Sequence, residues 1–170
     1  MVKEVNFTEK VPISHHLIEI KDRVIQVGIV VALFFGLCFY FIEFFLLWLE
    51  DPLPKQFAEL TFITPTEPFF TNMKVSFMGS VFISMPWILY HLWGFIAPGL
   101  KVKEKKITAM FVSFGTAFFL FGGIFCYFLV LPLGLKFLLA YGSNYWKMQV
   151  TIGFYFSFVV KLIMAFAFAF

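Results

Sequence analysis

The chain has 170 residues, 61% of them hydrophobic and 22% aromatic, with 14% charged and a formal net charge of +3. A soluble domain carries about 25% charged residues, so a water-exposed globule is excluded for want of polar surface. The small positive excess is spread over separate segments, which argues against a nucleic-acid partner.

The apolar runs define an all-α, polytopic transmembrane helix bundle formed by one membrane domain, residues 1–170. Ahead of the first run, Ile13, Leu17, Ile20 and Val24 repeat at helical spacing behind Pro12, with Ser14 as a candidate N-cap. His15, Glu19 and Asp22 occupy the opposite side, so residues 13–23 are expected to form an amphipathic helix on the cytoplasmic surface. The first span is expected over 24–49. At about 1.5 Å per residue it is long enough to cross roughly 30 Å of hydrocarbon. The second is expected over 69–93 and the third over 107–133. The fourth covers 150–170 and is still apolar at Phe170. A helix ending in hydrocarbon would leave carbonyls with no partner, so the chain is expected to be truncated in its fourth helix. Pro86 and Pro132 remove backbone donors inside the second and third runs and are expected to kink or end helices. Cys38 and Cys126 lie in apolar runs, where a thiol is a small hydrophobe; the chain has neither a disulfide framework nor metal-ligand spacing.

Orientation follows from lysine and arginine in the short loops. Lys3, Lys10, Lys21 and Arg23 precede the first span, and Lys101, Lys103, Lys105 and Lys106 follow the second; the alternate segments hold only Lys55, Lys136 and Lys147. This asymmetry puts the N-terminus and the "KVKEKK" loop in the cytoplasm. Glu50, Asp51, Glu59 and Glu67 then lie in an acidic, proline-rich outer loop.

Two cytoplasmic carboxylates stand out, Glu19 and Glu104. Each has a plain reading, Glu19 pairing with Arg23 at i,i+4 and Glu104 offsetting Lys101 or Lys105, worth a few tenths of a kcal/mol each. The alternative is that they accept a cationic ligand, since a carboxylate at the interface offers a guanidinium two charge-assisted hydrogen bonds. The neighbouring lysines attract anionic lipid headgroups. Lys74, Lys161 and Glu43 are charges inside apolar runs, where a functional role is the default unless the side chain snorkels. Snorkelling is favoured for Lys74 and Glu43, and Lys161 stays unassigned. No nucleophile, acid–base pair or cofactor motif is evident, so no enzyme activity and no cofactor or metal is expected.

"HLIEIKDR" (His16–Arg23), "TEPFF" (Thr66–Phe70), "ILYHLWGFIAPGLKVKEKK" (Ile88–Lys106) and "YFLVLPLGLKFL" (Tyr127–Leu138) resemble the TatC family, the multi-spanning subunit of the twin-arginine protein translocase. The resemblance implies six transmembrane helices in a concave, glove-like bundle, of which this chain holds about four. It implies a receptor for the paired-arginine signal peptides of folded cargo, in which Glu19, Phe95 and Glu104 read the signal. Gly94 and Pro98 are expected to set the geometry of the loop, and Pro52 belongs to an outer cap. It also implies small single-span partner subunits of the TatA/TatB type, a homo-oligomeric complex, an energised membrane and location in a bacterial cytoplasmic (inner) membrane or an organellar one. Lys21 stands where the family often has arginine, and the family's membrane-embedded acidic residue would follow Phe170. The competing reading is an ion or solute transporter or channel that uses Lys74, Lys161 and Glu43 as a polar pathway. A purely structural scaffold is the third.

Overall fold

The computed structural model describes residues 13–54, 60–97, 101–143 and 149–170. They form α1 (Ile13–Tyr40), α2 (Ile42–Glu50), α3 (Glu67–Ile96), α4 (Val102–Phe125), a π-helical turn over Cys126–Val130, α5 (Leu131–Ser143) and α6 (Ile152–Ala169). Four segments are long and apolar enough to cross a membrane: Ile20–Tyr40, Glu67–Ile96, Lys105–Tyr141 and Ile152–Ala169.

The helices differ from the apolar runs in three places. The amphipathic stripe at 13–23 is the opening of α1 and not a separate helix. No glycine or proline interrupts it before Val24, so nothing breaks the hydrogen-bond ladder. The expected continuous span 24–49 is divided at Phe41, whose φ of −98° and ψ of 25° leave the helical region. The Phe41 amide still bonds to Leu37, and Phe44 and Phe45 both bond to the Phe41 carbonyl. The break therefore redirects α2 at little cost in hydrogen bonds. The third run carries helix on to Ser143. Pro132 lacks an amide and its ring crowds the carbonyl four residues earlier. The π turn just ahead of it widens the ladder, with the Leu131 amide reaching the Cys126 carbonyl. Pro86, by contrast, is held inside an unbroken α3.

Contacts between helices fix their directions. Arg23 at the start of α1 meets His91 and Gly94 near the end of α3, while Cys38 near the end of α1 lies against Gly79. The two helices are therefore antiparallel. Glu67 lies beside Gly153, while Phe82 and Ile163 both lie against Gly123, so α3 and α6 run parallel. Small residues allow the close approaches that membrane helices use in place of a hydrophobic driving force. A Cβ on Gly122 would come 2.7 Å from the Phe166 carbonyl, and one on Gly123 would come 2.5 Å from the Phe82 ring. On α3, Thr71, Ser76, Ser80 and Ser84 are fully buried, with Ser80 and Ser84 returning hydrogen bonds to the Phe77 and Ser80 carbonyls.

The end of the bundle away from the N-terminus is fastened by polar side chains. Helix α2 ends with carbonyls that lack intrahelical partners, and two tyrosines from elsewhere satisfy them. Tyr127 donates to the Trp48 carbonyl at 2.7 Å and Tyr155 donates to the Leu49 carbonyl at 2.8 Å. The Trp48 and Tyr127 rings stack at 4.1 Å. Burial raises the carboxyl pKa of Glu50, at the close of α2. Nearby, Thr61 and Thr151 form a parallel bridge. The Glu67 carboxylate accepts from the Ile63 amide at 2.9 Å and from the Gly153 amide at 2.8 Å. An acceptor at Gly153 serves one of the unpartnered amides at the start of α6 and suits the positive end of its dipole. Leu49, Leu53, Leu131, Leu135, Tyr155 and Phe156 belong to the core that packs beneath these bonds.

Tyr155→Phe keeps the ring and removes the donor. It is expected to lower the unfolding free energy in detergent by about 1–3 kcal/mol, the cost of an unsatisfied buried carbonyl; Tyr127→Phe should act in the same direction. Glu67→Ala should speed hydrogen exchange at the Ile63 and Gly153 amides, read by mass spectrometry. Unchanged exchange at both would show that the carboxylate does not hold them.

Candidate functional site

At the N-terminal end of the bundle α1 and α3 are joined by one side chain. The Arg23 guanidinium donates through Nη2 to the Gly94 carbonyl at 2.9 Å and through Nη1 to the His91 carbonyl at 3.2 Å. Both acceptors lie near the close of α3, where a cation complements the helix dipole, and Gly94 is among the last four carbonyls, which lack intrahelical donors. Gly94 itself lies inside α3, and no described glycine has a positive φ. It therefore supplies space and not a turn: a Cβ there would stand 2.4 Å from Arg23 Nη1. The Ala97 amide closes the helix on the Trp93 carbonyl.

Two clefts flank the arginine. One, of about 340 Å³, has walls of Ile20, Val24, Val27, Ile88, Leu92 and Phe95, with Arg23 and His91 contributing its polar edge. The other, of about 380 Å³, is lined by Asp22, Arg23, Gln26, Tyr90, His91 and Gly94. His91, which borders both, and Trp93, two residues further along α3, carry groups with unmet bonding capacity. Both ring nitrogens of His91 and Nε1 of Trp93 are buried without a hydrogen-bond partner, a costly state unless another molecule supplies one.

The expected site residues divide between the two ends. Glu19 stands one turn before Arg23 in α1, and Phe95 lies half-buried in the last turn of α3 on the wall of the apolar cleft. Glu104 lies in the first turn of α4. The chain from Ala97 to Lys101 can span at most about 14 Å, so α4 starts close to the end of α3. The helical positions of Glu19, Phe95 and Glu104 thus gather at one end of the bundle. Pro98 lies outside the described residues. Pro52 is at the other end, just after α2 and beside the buried Leu53; α1 alone runs about 26 Å from Arg23 to Tyr40 at 1.5 Å per residue.

Lys74, Lys161 and Glu43 do not converge. All three are exposed and none lines a cavity found among the described residues. Lys161 lies between Gly153, which is level with Glu67, and Ile163, which is level with Phe82. That puts it near the Cys38–Gly79 contact and toward the end of the first span, together with Lys74. The cavity of about 140 Å³ between α2, α3, α4 and α6 is walled by apolar side chains such as Phe45, Val75, Met78, Ile124 and Val160, and offers no polar pathway.

Arg23 is the residue that sequence reasoning missed. Its spacing to Glu19 drew attention to a contact within α1, and the two carbonyls it bonds on α3 lie 68 and 71 positions away. The available hint was a glycine in the last turn of the second span, facing an arginine at the start of the first.

These features define a polytopic helical membrane protein with an arginine-clasped polar site at one end. The family model of Sec-independent protein translocase protein (TatC) matches residues 15–170. The TatC protein of Campylobacter jejuni is 40% identical over 161 residues, covering 91% of this chain and 65% of that protein. The TatC of Aquifex aeolicus is 37% identical over 163 residues, covering 94% of this chain and 68% of that protein. A crystal structure of the twin-arginine translocase receptor TatC superposes with a TM-score of 0.78 at 37% identity, over 91% of this chain and 69% of that one. The chain belongs to the TatC family. That family is one of protein-transport components of the membrane, and the chain spans about two thirds or less of the length of the curated relatives it matches.

Proposed function

We propose that the chain is a receptor and core component of a twin-arginine protein translocase, and that it binds the paired-arginine signal peptide of folded cargo. The observation that carries this reading is the gathering of the Glu19, Phe95 and Glu104 positions at one end of the bundle, beside an apolar cleft. A secretory-type signal is a basic segment followed by an apolar one. The two carboxylates suit the former and the cleft walled by Val24, Leu92 and Phe95 suits the latter. Guanidinium groups are preferred over ammonium groups because a carboxylate takes the planar fork through two parallel bonds. The unpartnered ring nitrogens of His91, on the edge of both clefts, offer polar contacts for the peptide between the two.

In this reading the N-terminus and the "KVKEKK" loop face the cytoplasm, as the lysine and arginine distribution favours. The tyrosine- and Glu67-fastened end, with Pro52, forms the outer cap. The membrane is a bacterial cytoplasmic membrane, energised to drive export. Small single-span subunits of the TatA/TatB type, anionic lipids and further copies of the chain complete the working complex. The transporter alternative is disfavoured by the exposed, scattered positions of Lys74, Lys161 and Glu43.

The test is photocrosslinking of a paired-arginine signal peptide to membranes that carry the chain. Glu19→Gln and Glu104→Gln should each weaken apparent affinity by about tenfold, the factor that corresponds to one charge-assisted hydrogen bond. Glu43→Gln should leave it unchanged. Undiminished crosslinking in both of the first two variants would sink the assignment.

A further inference from the structure

We infer that Arg23 is a positioning residue of the signal-reading site: its fork locks α1 to the end of α3 and so sets the spacing of the two reading carboxylates. The inference rests on the reading proposed above and deepens it, because it concerns a residue that contacts the bundle and not the peptide.

The geometry carries the argument. Glu19 lies one helical turn from Arg23 on α1. Gly94, which accepts the 2.9 Å bond, directly precedes Phe95 and stands three residues before Ala97, where α3 closes. From there only a short connection leads to α4 and Glu104. A sliding or tilting of α1 against α3 would therefore carry Glu19 away from Phe95 and from the start of α4 together. The two bonds to His91 and Gly94 oppose that motion in both directions, since they engage carbonyls almost one turn apart on the same helix. At the same level two wall residues of the adjoining cleft, Val24 and Leu92, are more than half exposed, while Val27, Ile88 and Phe95 are half-buried, so apolar packing covers this end only in part. Lysine cannot replace the clasp, because a single ammonium lacks the rigid fork that spans two acceptors.

Gly94 makes the clasp separable from the charge. A methyl group at position 94 would meet Nη1 at 2.4 Å, and the atom it meets is the far end of a flexible side chain. Gly94→Ala should therefore dislodge the guanidinium while leaving arginine in place and α3 intact.

The experiment measures peptide affinity per folded chain by photocrosslinking in membranes, for Arg23→Met, Arg23→Lys, Gly94→Ala and the Arg23→Met/Gly94→Ala double variant. Spin labels at Ile20→Cys and Lys105→Cys report the spacing of α1 and α4. The expected result is about a tenfold loss of affinity in each single variant, with Lys failing to rescue. The double variant should be no worse than Arg23→Met, and the label distances should broaden in all four. Independent sites would give additive losses, so additivity would overturn the clasp, as would full rescue by Arg23→Lys. A fall in abundance with unchanged affinity would also overturn it, reducing Arg23 to a stability role. Loss of affinity in Glu19→Gln with Arg23→Met unaffected would remove the clasp and leave the receptor reading standing. No loss in Glu19→Gln or Glu104→Gln, with broadened distances in Arg23→Met, would remove the receptor reading and leave the clasp as a mechanical element only.

Discussion

A helix end in an apolar medium presents four amides or four carbonyls with no partner, and each such group costs several kcal/mol if water cannot reach it. In this chain the helix ends are served by side chains from distant segments. Arg23 serves the end of α3, Tyr127 and Tyr155 serve the end of α2, and Glu67 serves the start of α6 together with the loop before α3. Each bond satisfies a local need and at the same time fixes two remote pieces of chain in register. The bundle is therefore pinned at both of its polar ends, while small residues and aromatic rings fill the stretch between.

The two ends are pinned differently, and the difference bears on function. At the far end two tyrosines, one carboxylate and a β-bridge act above a contiguous core that includes Leu131 and Phe156. At the N-terminal end a guanidinium bonds α1 to α3, bordered by open clefts and by buried ring nitrogens without partners. Unsatisfied polar groups and half-exposed apolar walls are costly in an isolated fold, and a bound segment could supply what both lack. The charged residues within the apolar runs fit the same division. Lys74 and Lys161 lie on helices whose N-termini are at the far end, and helical side chains lean toward the N-terminus. Both can therefore carry their ammonium groups outward along the stem.

The sequence made the membrane class, the four apolar helices and the polarity of the loops legible, because each of these is written in composition over a long window. The break at Phe41 was not, since "FYFIEFF" holds no glycine or proline and its one charge, Glu43, does not stop a helix; it follows from where α2 packs, a tertiary effect. Pro132 announced a disturbance but not its form, a π turn followed by more helix; within that turn Tyr127 bonds to a residue 79 positions earlier. For the candidate site, Glu19 and Glu104 stood out as carboxylates in basic surroundings, and the resemblance to a family gave them a role. The clasp that relates them did not stand out. A contact across 71 residues leaves no local pattern, and Gly94 resembled a turn glycine until the arginine beside it was seen.

The central claim is that the paired arginines of a signal peptide rest on Glu19 and Glu104. It is tested most directly by solid-state NMR dipolar dephasing between ¹⁵N in the guanidinium groups of the peptide and ¹³C in the glutamate carboxyls of the membrane-embedded chain. The account predicts dephasing of two carboxyl signals, one lost on Glu19→Gln and the other on Glu104→Gln, and neither changed by Glu43→Gln. Bound peptide with no carboxyl dephasing, or dephasing that survives both substitutions, would contradict it.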